Sequence, residues 1–283
     1  MIRDPQGLSL MNEIDRLLDL MVKLRDPSSG CPWDLAQTFD SIVPHTLEEA
    51  YEVADAIARG DMLELKDELG DLLFQIVFYA QMAREAGDFE FADVVRSIVE
   101  KMIRRHPHVF GSVRYADAEE LSGAWEDIKT RERGEDPSVS ILDDVALALP
   151  ALNRAVKLQR RAARIGFDWS KLEPVIAKVE EELREIRQEL RGDIEAGRVA
   201  EEVGDLLFAC TNLARHLKVD PEAALRAANA KFETRFRRIE TWLKSSGRTL
   251  EQASLEEMDI LWERAKAEER GEATVKHPTN FRE

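Results

Sequence analysis

The sequence predicts an all-α protein that consists of two tandem four-helix units. Apolar residues recur at helical spacing from Leu8 onward, whereas Val, Ile and Thr do not alternate with polar residues over the length of a strand. The peptide Glu-Leu-Gly-Asp-Leu-Leu-Phe at 68–74 returns at 202–208 with a single change. Motifs that repeat in one order at nearly constant offset indicate an internal duplication. We therefore divide the chain into a first unit, 1–140, and a second unit, 141–283.

Capping and turn signals divide the first unit into four predicted helices. Thr46-Leu-Glu-Glu49 has the form of a capping box, which is typical of a helix start. Gly60-Asp61 and Gly87-Asp88 are turn signals that should end the first and second helices. The helices are expected close to residues 46–59, 63–86, 89–105 and 118–133. The Gly-Glu-Asp-Pro-Ser-Val-Ser stretch at 134–140 is the predicted linker between the units.

The second unit repeats the polar pattern of the first, and each unit has an introductory helix before its four. Each lead-in contains a Val-Lys-Leu peptide, at 22–24 and at 156–158. The corresponding polar sets are Glu48, Glu49 and Glu52 with Glu181, Glu182 and Glu185; Lys101 and Arg105 with Lys231 and Arg235; and Trp125 and Lys129 with Trp262 and Lys266.

Composition excludes several classes of partner and location. The chain has 56 acidic and 40 basic residues and a net charge of −16, which argues against a nucleic-acid partner. Its two cysteines lie in different units, so a disulfide framework is not expected and a reducing compartment fits. Residues 1–20 lack a secretory apolar region, and the longest apolar run, near 72–80, is too short to span a bilayer. We expect a cytoplasmic protein without a membrane partner.

Two carboxylates interrupt the most apolar predicted helix. Glu68 and Asp71 lie three residues apart, so they share one helix face, and a single stripe of this kind is typical of a solvated surface. The second unit repeats the pair as Glu202 and Asp205. A glycine stands inside each pair and costs about 1 kcal/mol of helix propensity relative to alanine. A glycine in both copies predicts that another group approaches the backbone closely there.

The preceding helix supplies a second carboxylate pair in each unit. Taken alone, these glutamates are a weak signal, because a solvated, Glu-rich helix face is the ordinary explanation for them. Two adjacent antiparallel helices would, however, point four like charges at one another, and such charges require neutralisation. Oxygen ligands favour Mg²⁺ or Mn²⁺, and zinc is disfavoured because no His or Cys occupies matching positions in both units. The candidate metal ligands are Glu49, Glu52, Glu68 and Asp71 in the first unit, and Glu182, Glu185, Glu202 and Asp205 in the second.

Basic and aromatic residues could extend each metal site into a substrate site. Lys101 and Arg105 lie four residues apart on one helix face, and Lys231 and Arg235 repeat them. Such pairs are commonly surface residues, but beside a metal they suit the oxygens of a polyphosphate. The tryptophan of the fourth helix is either a core residue or a platform on which a base stacks.

The motifs together closely resemble the MazG family. The peptides that carry the resemblance lie at 30–34 (GCPWD), 46–52 (TLEEAYE), 68–74 (ELGDLLF), 104–111 (RRHPHVFG) and 166–169 (GFDW). The resemblance extends from about residue 10 to 270. It implies a homodimeric all-α enzyme that hydrolyses nucleoside triphosphates to monophosphate and pyrophosphate with Mg²⁺. The ExxE and ExxD pairs alone are shared by a wider all-α superfamily.

The resemblance also assigns roles to particular positions. The eight carboxylates above would be metal ligands, and Lys231, Arg235, Trp262 and Lys266 match nucleotide-contacting positions, with counterparts at Lys101, Arg105, Trp125 and Lys129. Water would attack the α-phosphorus and expel pyrophosphate. Apart from the resemblance, the remaining carboxylate of each unit, Glu48 or Glu181, is the candidate for the group that orients or deprotonates the water.

Two other interpretations remain. In the first, the chain is a nucleotide-sensing regulatory module in which one or both units bind without turnover. In the second, it is a helical scaffold, which the paired carboxylates in both units disfavour. We expect residues 141–283 alone to fold as a dimer and hydrolyse nucleoside triphosphates, while the first unit contributes assembly or regulation in addition to any turnover. The sequence does not predict base preference.

Overall fold

The computed structural model describes residues 7–117, 120, 121, 124, 128, 140–143, 145–191 and 195–271, with the backbone alone for 7–12. The chain divides into two compact units, Met1–Glu135 and Asp136–Glu283. Every regular element among the described residues is a helix, which confirms the all-α class. None of the described helices is both long and apolar enough to cross a membrane. Most of the predicted fourth helix of the first unit and of the linker lies outside the described residues.

The described part of the first unit contains six helices, of which α3 and α4 are the longest. They are α1 (Gly7–Leu24), α2 (Pro32–Ala36), α3 (Phe39–Arg59), α4 (Met62–Ala86), α5 (Phe91–Arg105) and α6 (Pro107–Phe110). Helix α4 packs against α1, α3 and α5. The core lies between α1, α3 and α4, where Met21, Ile42, Val77, Phe78 and Met82 are buried. This packing places one long face of α3 beside α4.

Helix α3 begins earlier than the capping-box pattern predicts, so the expected start at Thr46 is wrong. The N-cap is Thr38, whose side chain accepts a hydrogen bond from the Ser41 backbone N–H, while the Ser41 hydroxyl accepts one from the Thr38 N–H. Pro44 lies inside the helix. Thr46 instead contacts Tyr79 of α4 through its hydroxyl, 3.1 Å from the phenolic oxygen. The polar residue at position 46 therefore connects two helices rather than capping one.

The turn between α3 and α4 is built from the predicted Gly60-Asp61 pair. Gly60 ends α3 in the left-handed conformation, with φ of 70°, which glycine adopts without steric cost. The Asp61 carboxylate then accepts hydrogen bonds from the Leu63 and Glu64 N–H groups and caps α4. This connection makes α3 and α4 neighbours along the chain and in space.

The second unit contains five described α-helices. They are α7 (Ala151–Arg164), α8 (Leu172–Glu189), α9 (Ala196–His216), α10 (Pro221–Ser245) and α11 (Leu255–Glu269), with a short 3-10 helix at Leu250–Gln252 before α11. Helix α9 packs against α7, α8 and α10, and α10 also packs against α7 and α11. The α8–α9 pair carries the second unit's candidate metal ligands, as the α3–α4 pair does in the first.

Candidate active site

In the first unit the α3–α4 pair brings three predicted metal ligands together. The carboxylates of Glu49 and Glu52 on α3 and of Glu68 on α4 each provide an oxygen within 4.8 Å of the others. Asp71 follows one turn after Glu68, and its charge acts on Glu49. The structure thus brings together carboxylates of two helices, as the spacing predicts, because each i, i+3 pair lies on the side of its helix that faces the other helix.

This cluster holds more negative charge than its surroundings neutralise. The pKa of Glu49 is raised, first because the residue is partly desolvated and then because of the negative charges of Asp71 and Glu52. The pKa of Glu68 is raised for the same reasons, desolvation first and then the charge of Glu52. Such an arrangement favours a bound cation, which removes the repulsion between the carboxylates.

The second unit has an equivalent cluster that is more deeply buried. Glu182 on α8, with a 3% exposed residue surface, lies beside Glu202 and Asp205 of α9, and the three provide oxygens within 4.8 Å of one another. Glu181, Glu182 and Glu185 form an overlapping group. Desolvation and the charge of Glu182 raise the pKa of Glu185. Glu182 is thus shared by two groups of carboxylates.

Lys178 is a residue of this site that the sequence analysis missed. Its Nζ lies 2.7 Å from Glu182 Oε1 and 2.8 Å from Glu181 Oε1, one turn earlier on α8. The first unit has His45 at the corresponding position, with Nδ1 3.8 Å from a Glu48 carboxylate oxygen. Lys178 is therefore not among the residues that both units share, although its i, i+4 spacing to Glu182 predicts an ion pair on one helix face.

The two candidate water-activating carboxylates differ in their surroundings. Lys178 lowers the pKa of Glu181 through a hydrogen bond and through its charge. A carboxylate with a lowered pKa is a weaker base, so Glu181 would need to lose the Lys178 contact to act on water. Glu48 is exposed and adjoins His45. The role of either residue stays a prediction.

The predicted nucleotide-contacting residues of the second unit lie together along α10 and α11. Arg235 donates to the Glu269 carboxylate at 2.8 and 3.0 Å, and its guanidinium lies 5.4 Å from the Trp262 ring centre. Trp262 also contacts Phe232, with ring centres 5.2 Å apart. Lys266 is paired with Glu263 at 2.7 Å, while Lys231 is exposed. Arg235, with a 16% exposed side chain, is therefore not a simple surface residue.

Among the described residues, no hydrogen bond or ion pair joins this basic and aromatic group to Glu182 or Asp205. Its role in binding substrate stays a prediction. Trp262 is half-buried and contacts Phe232, which is itself exposed, so both the core interpretation and the stacking interpretation of Trp262 stay open. Lys101 and Arg105, the counterparts in the first unit, lie on α5. Trp125 and Lys129 lie outside the described residues.

The glycines within the acidic pairs do not mark a close contact inside the described chain. A Cβ atom built at Gly70 or Gly204 would meet nothing within 4 Å. The expectation of a close approach to the backbone is wrong for contacts within the described residues. The positions face open space, so the packing gives no reason for a glycine there.

A cavity of about 710 Å³ adjoins the acidic cluster of the second unit. Its lining includes Lys178, Glu182 and Asp205, and also the aromatic side chains of Trp169 and Phe208. Trp169 and Phe208 are each partly exposed, at 43% and 44%. The cavity therefore joins the carboxylates to an aromatic surface that a planar ligand could contact.

A hydrogen-bonded network forms another part of the cavity lining. The Arg215 guanidinium donates to both oxygens of Asp168, at 2.5 and 2.9 Å, and to Asn212 Oδ1, at 2.7 and 2.9 Å. His216 Nε2 lies 2.9 Å from Asp168 Oδ1. Hydrogen bonds from Arg215 and then from His216 lower the pKa of Asp168. This network fixes the segment before α8 against the end of α9.

The chemistry of both carboxylate clusters fits a hard divalent cation. The donors are carboxylate oxygens alone, which Mg²⁺ and Mn²⁺ prefer, and neither group contains a His or Cys. Each cluster draws ligands from two packed helices, and in the second unit Glu182 is almost completely buried. A buried carboxylate beside other carboxylates is costly unless positive charge compensates it.

Comparison with known proteins gives extensive similarity. The family model described as MazG nucleotide pyrophosphohydrolase domain matches residues 37–110. A nucleoside triphosphate pyrophosphohydrolase of Escherichia coli K12 is 52% identical over 260 residues, which are 92% of this chain and 99% of that protein. The nucleoside triphosphate pyrophosphohydrolase/pyrophosphatase MazG of Thermotoga maritima is 44% identical over 253 residues, 89% and 95% of the two chains. YabN of Bacillus subtilis, described as uncharacterized, is 42% identical over 92% of this chain and 53% of its own.

Proposed function

Because the chain belongs to the MazG family of nucleotide pyrophosphohydrolases, we propose that it hydrolyses nucleoside triphosphates to nucleoside monophosphate and pyrophosphate. The observation that carries the proposal is the carboxylate cluster formed by α8 and α9, which provides oxygens of Glu182, Glu202 and Asp205 within 4.8 Å of one another. Two relatives that are named for this activity match almost their full lengths. The family membership confirms the resemblance that the sequence motifs predicted.

The proposed cofactor is Mg²⁺, with Mn²⁺ as a substitute. Glu182, Glu185, Glu202 and Asp205 would hold it in the second unit. When bound, the ion would polarise phosphoryl oxygens and acidify a coordinated water. Since triphosphate and carboxylates are both negative, the substrate can approach this cluster only when the charge is compensated.

The chain's own residues would orient the α-phosphoryl group for attack by water. Lys178 lies among the carboxylates and in the cavity lining, so its ammonium group could move from Glu182 to a phosphate oxygen. Releasing Lys178 from Glu181 would also restore the basicity of that carboxylate. Water attack at the α-phosphorus then releases pyrophosphate, whereas attack at the γ-phosphorus would release orthophosphate.

We assign turnover to the second unit and assembly or regulation to the first. Both units have the acidic cluster, but Lys178 has the shorter contacts, and His45 replaces it in the first unit. The first unit exposes apolar side chains on α3, with Leu47 at 45% and Tyr51 at 52%, which suits contact with a second copy of the chain. A homodimer is therefore part of the proposal.

The test is a turnover screen of the ribo- and deoxyribonucleoside triphosphates with Mg²⁺ and with EDTA. Pyrophosphate and orthophosphate are measured separately, and the molecular mass of the full chain is measured in solution. We expect Mg²⁺-dependent release of pyrophosphate as the first product. Orthophosphate as the first product would overturn attack at the α-phosphorus, and binding without any turnover would favour the regulatory module.

A further inference from the structure

The two acidic clusters hold equivalent carboxylates in different ways. In the second unit the Lys178 ammonium group lies 2.7 Å from the Glu182 carboxylate and supplies a positive charge. In the first unit, none of the ion pairs that α3 and α4 form among the described residues includes a candidate metal ligand. Helix α4 instead places an uncharged amide, Gln75, one turn after Asp71. The first cluster therefore has an amide where the second has a cation.

The Gln75 amide acts on Glu49, the counterpart of Glu182. Desolvation raises the pKa of Glu49, as do the charges of Asp71 and Glu52, while a hydrogen bond from Gln75 acts in the opposite direction and favours the ionised carboxylate. A carboxylate can only accept, so the amide nitrogen of Gln75 is the donor. This contact joins α4 to a candidate metal ligand of α3 without adding charge.

The other end of the same amide shows that Gln75 does not serve stability. The residue is 8% exposed, and its Oε1 is buried without a hydrogen-bond partner. A buried acceptor that lacks a donor destabilises the fold. The second unit has Ala209 at the corresponding position, also buried, so this type of helix pair packs with a small apolar residue there. A costly polar residue that contacts a candidate ligand indicates a function at the cluster.

A second polar contact holds the same two helices together beside the cluster. The Thr46 hydroxyl, one turn before Glu49 on α3, lies 3.1 Å from the Tyr79 hydroxyl, one turn after Gln75 on α4. The second unit has Val179 and Leu213 at the corresponding positions. The polar layer between the helices is thus a feature of the first unit, and it fixes α3 against α4 where the carboxylates meet.

The two arrangements differ in what a cation must displace. The Lys178 ammonium group has the same sign as a metal ion, so an ion that binds Glu182 competes with it. Gln75 is neutral and donates to Glu49, so it can keep its hydrogen bond while the carboxylate binds an ion. Partners of this kind orient a ligand, and losing one typically weakens metal binding about tenfold to a hundredfold.

We propose that Gln75 is a positioning residue that holds Glu49 in the orientation a divalent cation requires, and that the first unit is the tighter of the two cation sites. The inference rests on the proposed function, because the same carboxylates are the proposed Mg²⁺ ligands. It follows that the first cluster fills at a lower concentration of the ion than the second.

The test measures binding of Mn²⁺ to the full chain without nucleotide, by the electron paramagnetic resonance signal of the free ion. Asp205→Asn disables the second cluster and reports on the first, whereas Asp71→Asn reports on the second. The double variant measures binding to the rest of the acidic surface, which is subtracted. We expect the first cluster to bind Mn²⁺ at least about tenfold more tightly than the second.

The role of Gln75 is tested with Gln75→Met, which keeps the length of the side chain and removes the amide. On the Asp205→Asn background it should weaken Mn²⁺ binding about tenfold. The matched control is the same substitution on the Asp71→Asn background, where Mn²⁺ affinity should stay within about twofold. In EDTA, Gln75→Met should leave the urea midpoint of unfolding unchanged or raise it, because the variant removes an unpaired buried acceptor.

Two clusters of equal affinity, or a tighter second cluster, would overturn the inference, and this comparison needs no change at Gln75. A Gln75→Met variant that lowers the urea midpoint and leaves Mn²⁺ affinity unchanged would also overturn it, because that result indicates a purely structural role. A chain with two unequal sites that releases no pyrophosphate would overturn the proposed function and leave the inference standing. Pyrophosphate release by a chain with two equal sites would do the reverse.

Discussion

Replacing Lys178 with methionine should destabilise the second unit in a way that Mg²⁺ reverses. Methionine keeps the length and apolar stem of the side chain but removes the ammonium group 2.7 Å from the Glu182 carboxylate. Glu182 is 3% exposed, so the variant leaves a buried negative charge beside the carboxylates of Glu202 and Asp205.

The expected loss in the free energy of unfolding depends on how deeply each partner of the Lys178–Glu182 ion pair is buried. Breaking a fully buried ion pair costs about 3–5 kcal/mol, whereas an exposed pair contributes less than about 1 kcal/mol. The Glu182 side chain is 4% exposed and the Lys178 side chain 37%, so solvent screens only one partner. We expect a loss of about 1–3 kcal/mol in the free energy of unfolding. Mg²⁺ at one hundred times its Kd for the variant should return about 2.7 kcal/mol, and the wild type, in which the ammonium group competes with the ion, should gain less at the same Mg²⁺ concentration.

The assay is urea unfolding of the full chain with Mg²⁺ and with EDTA, followed by circular dichroism. The matched control is Lys66→Met, because Lys66 pairs with Asp67 at 3.0 Å while both side chains are largely exposed, at 75% and 68%. That variant should change stability by less than about 0.5 kcal/mol. If Lys178→Met behaves like Lys66→Met in EDTA, or if Mg²⁺ stabilises it no more than it stabilises the wild type, the account of the acidic cluster is refuted.

Three further predictions test separate features. Lys231→Ala should raise the KM for the triphosphate severalfold and change stability by less than about 0.5 kcal/mol, since the side chain is exposed; stability loss with unchanged kinetics would contradict a role in binding. Gly204→Ala should stabilise the chain by about 1 kcal/mol in chemical unfolding because the added methyl group meets open space, and destabilisation would show an unseen contact. A hydrogen bond from Arg25 lowers the pKa of Glu85 below its usual 4.5, so the pair stabilises the fold above pH 4.5 and loses its effect as pH falls through the lowered pKa. The difference in unfolding free energy between the wild type and Glu85→Gln should therefore shrink as pH falls across that range. A difference that stays constant with pH would contradict the prediction.

Helical periodicity predicted α4 and α5 to within two residues of their observed bounds, and i, i+3 spacing predicted which carboxylates of the paired helices lie together. Carboxylates on one face of each of two sequential helices must meet when a short turn makes those helices neighbours. Local capping was less predictable. Thr46 has the residue pattern of a capping box, yet Thr38 and Ser41 satisfy each other's backbone N–H groups and start α3 earlier.

The remaining features depend on contacts between residues far apart in the chain. Arg215 at the end of α9 donates to the carboxylate of Asp168, which lies in the segment before α8. The Gln159 amide of α7 donates to the Phe208 carbonyl oxygen of α9. Periodicity carries no information about such pairs. Lys178 was overlooked for a different reason, since comparing the units favours residues that both retain, and His45 stands at that position in the first unit.

The most direct test of the central claim is the fate of isotopically labelled water in the reaction. The full chain is incubated with a nucleoside triphosphate and Mg²⁺ in ¹⁸O-labelled water, and the wild type is compared with the double variant Asp71→Asn/Asp205→Asn. We expect the wild type to release pyrophosphate and to place the label in the nucleoside monophosphate, while turnover by the double variant falls at least about a hundredfold. Label in pyrophosphate or orthophosphate would contradict attack at the α-phosphorus. Undiminished turnover by the double variant would contradict the carboxylate clusters as the catalytic centres.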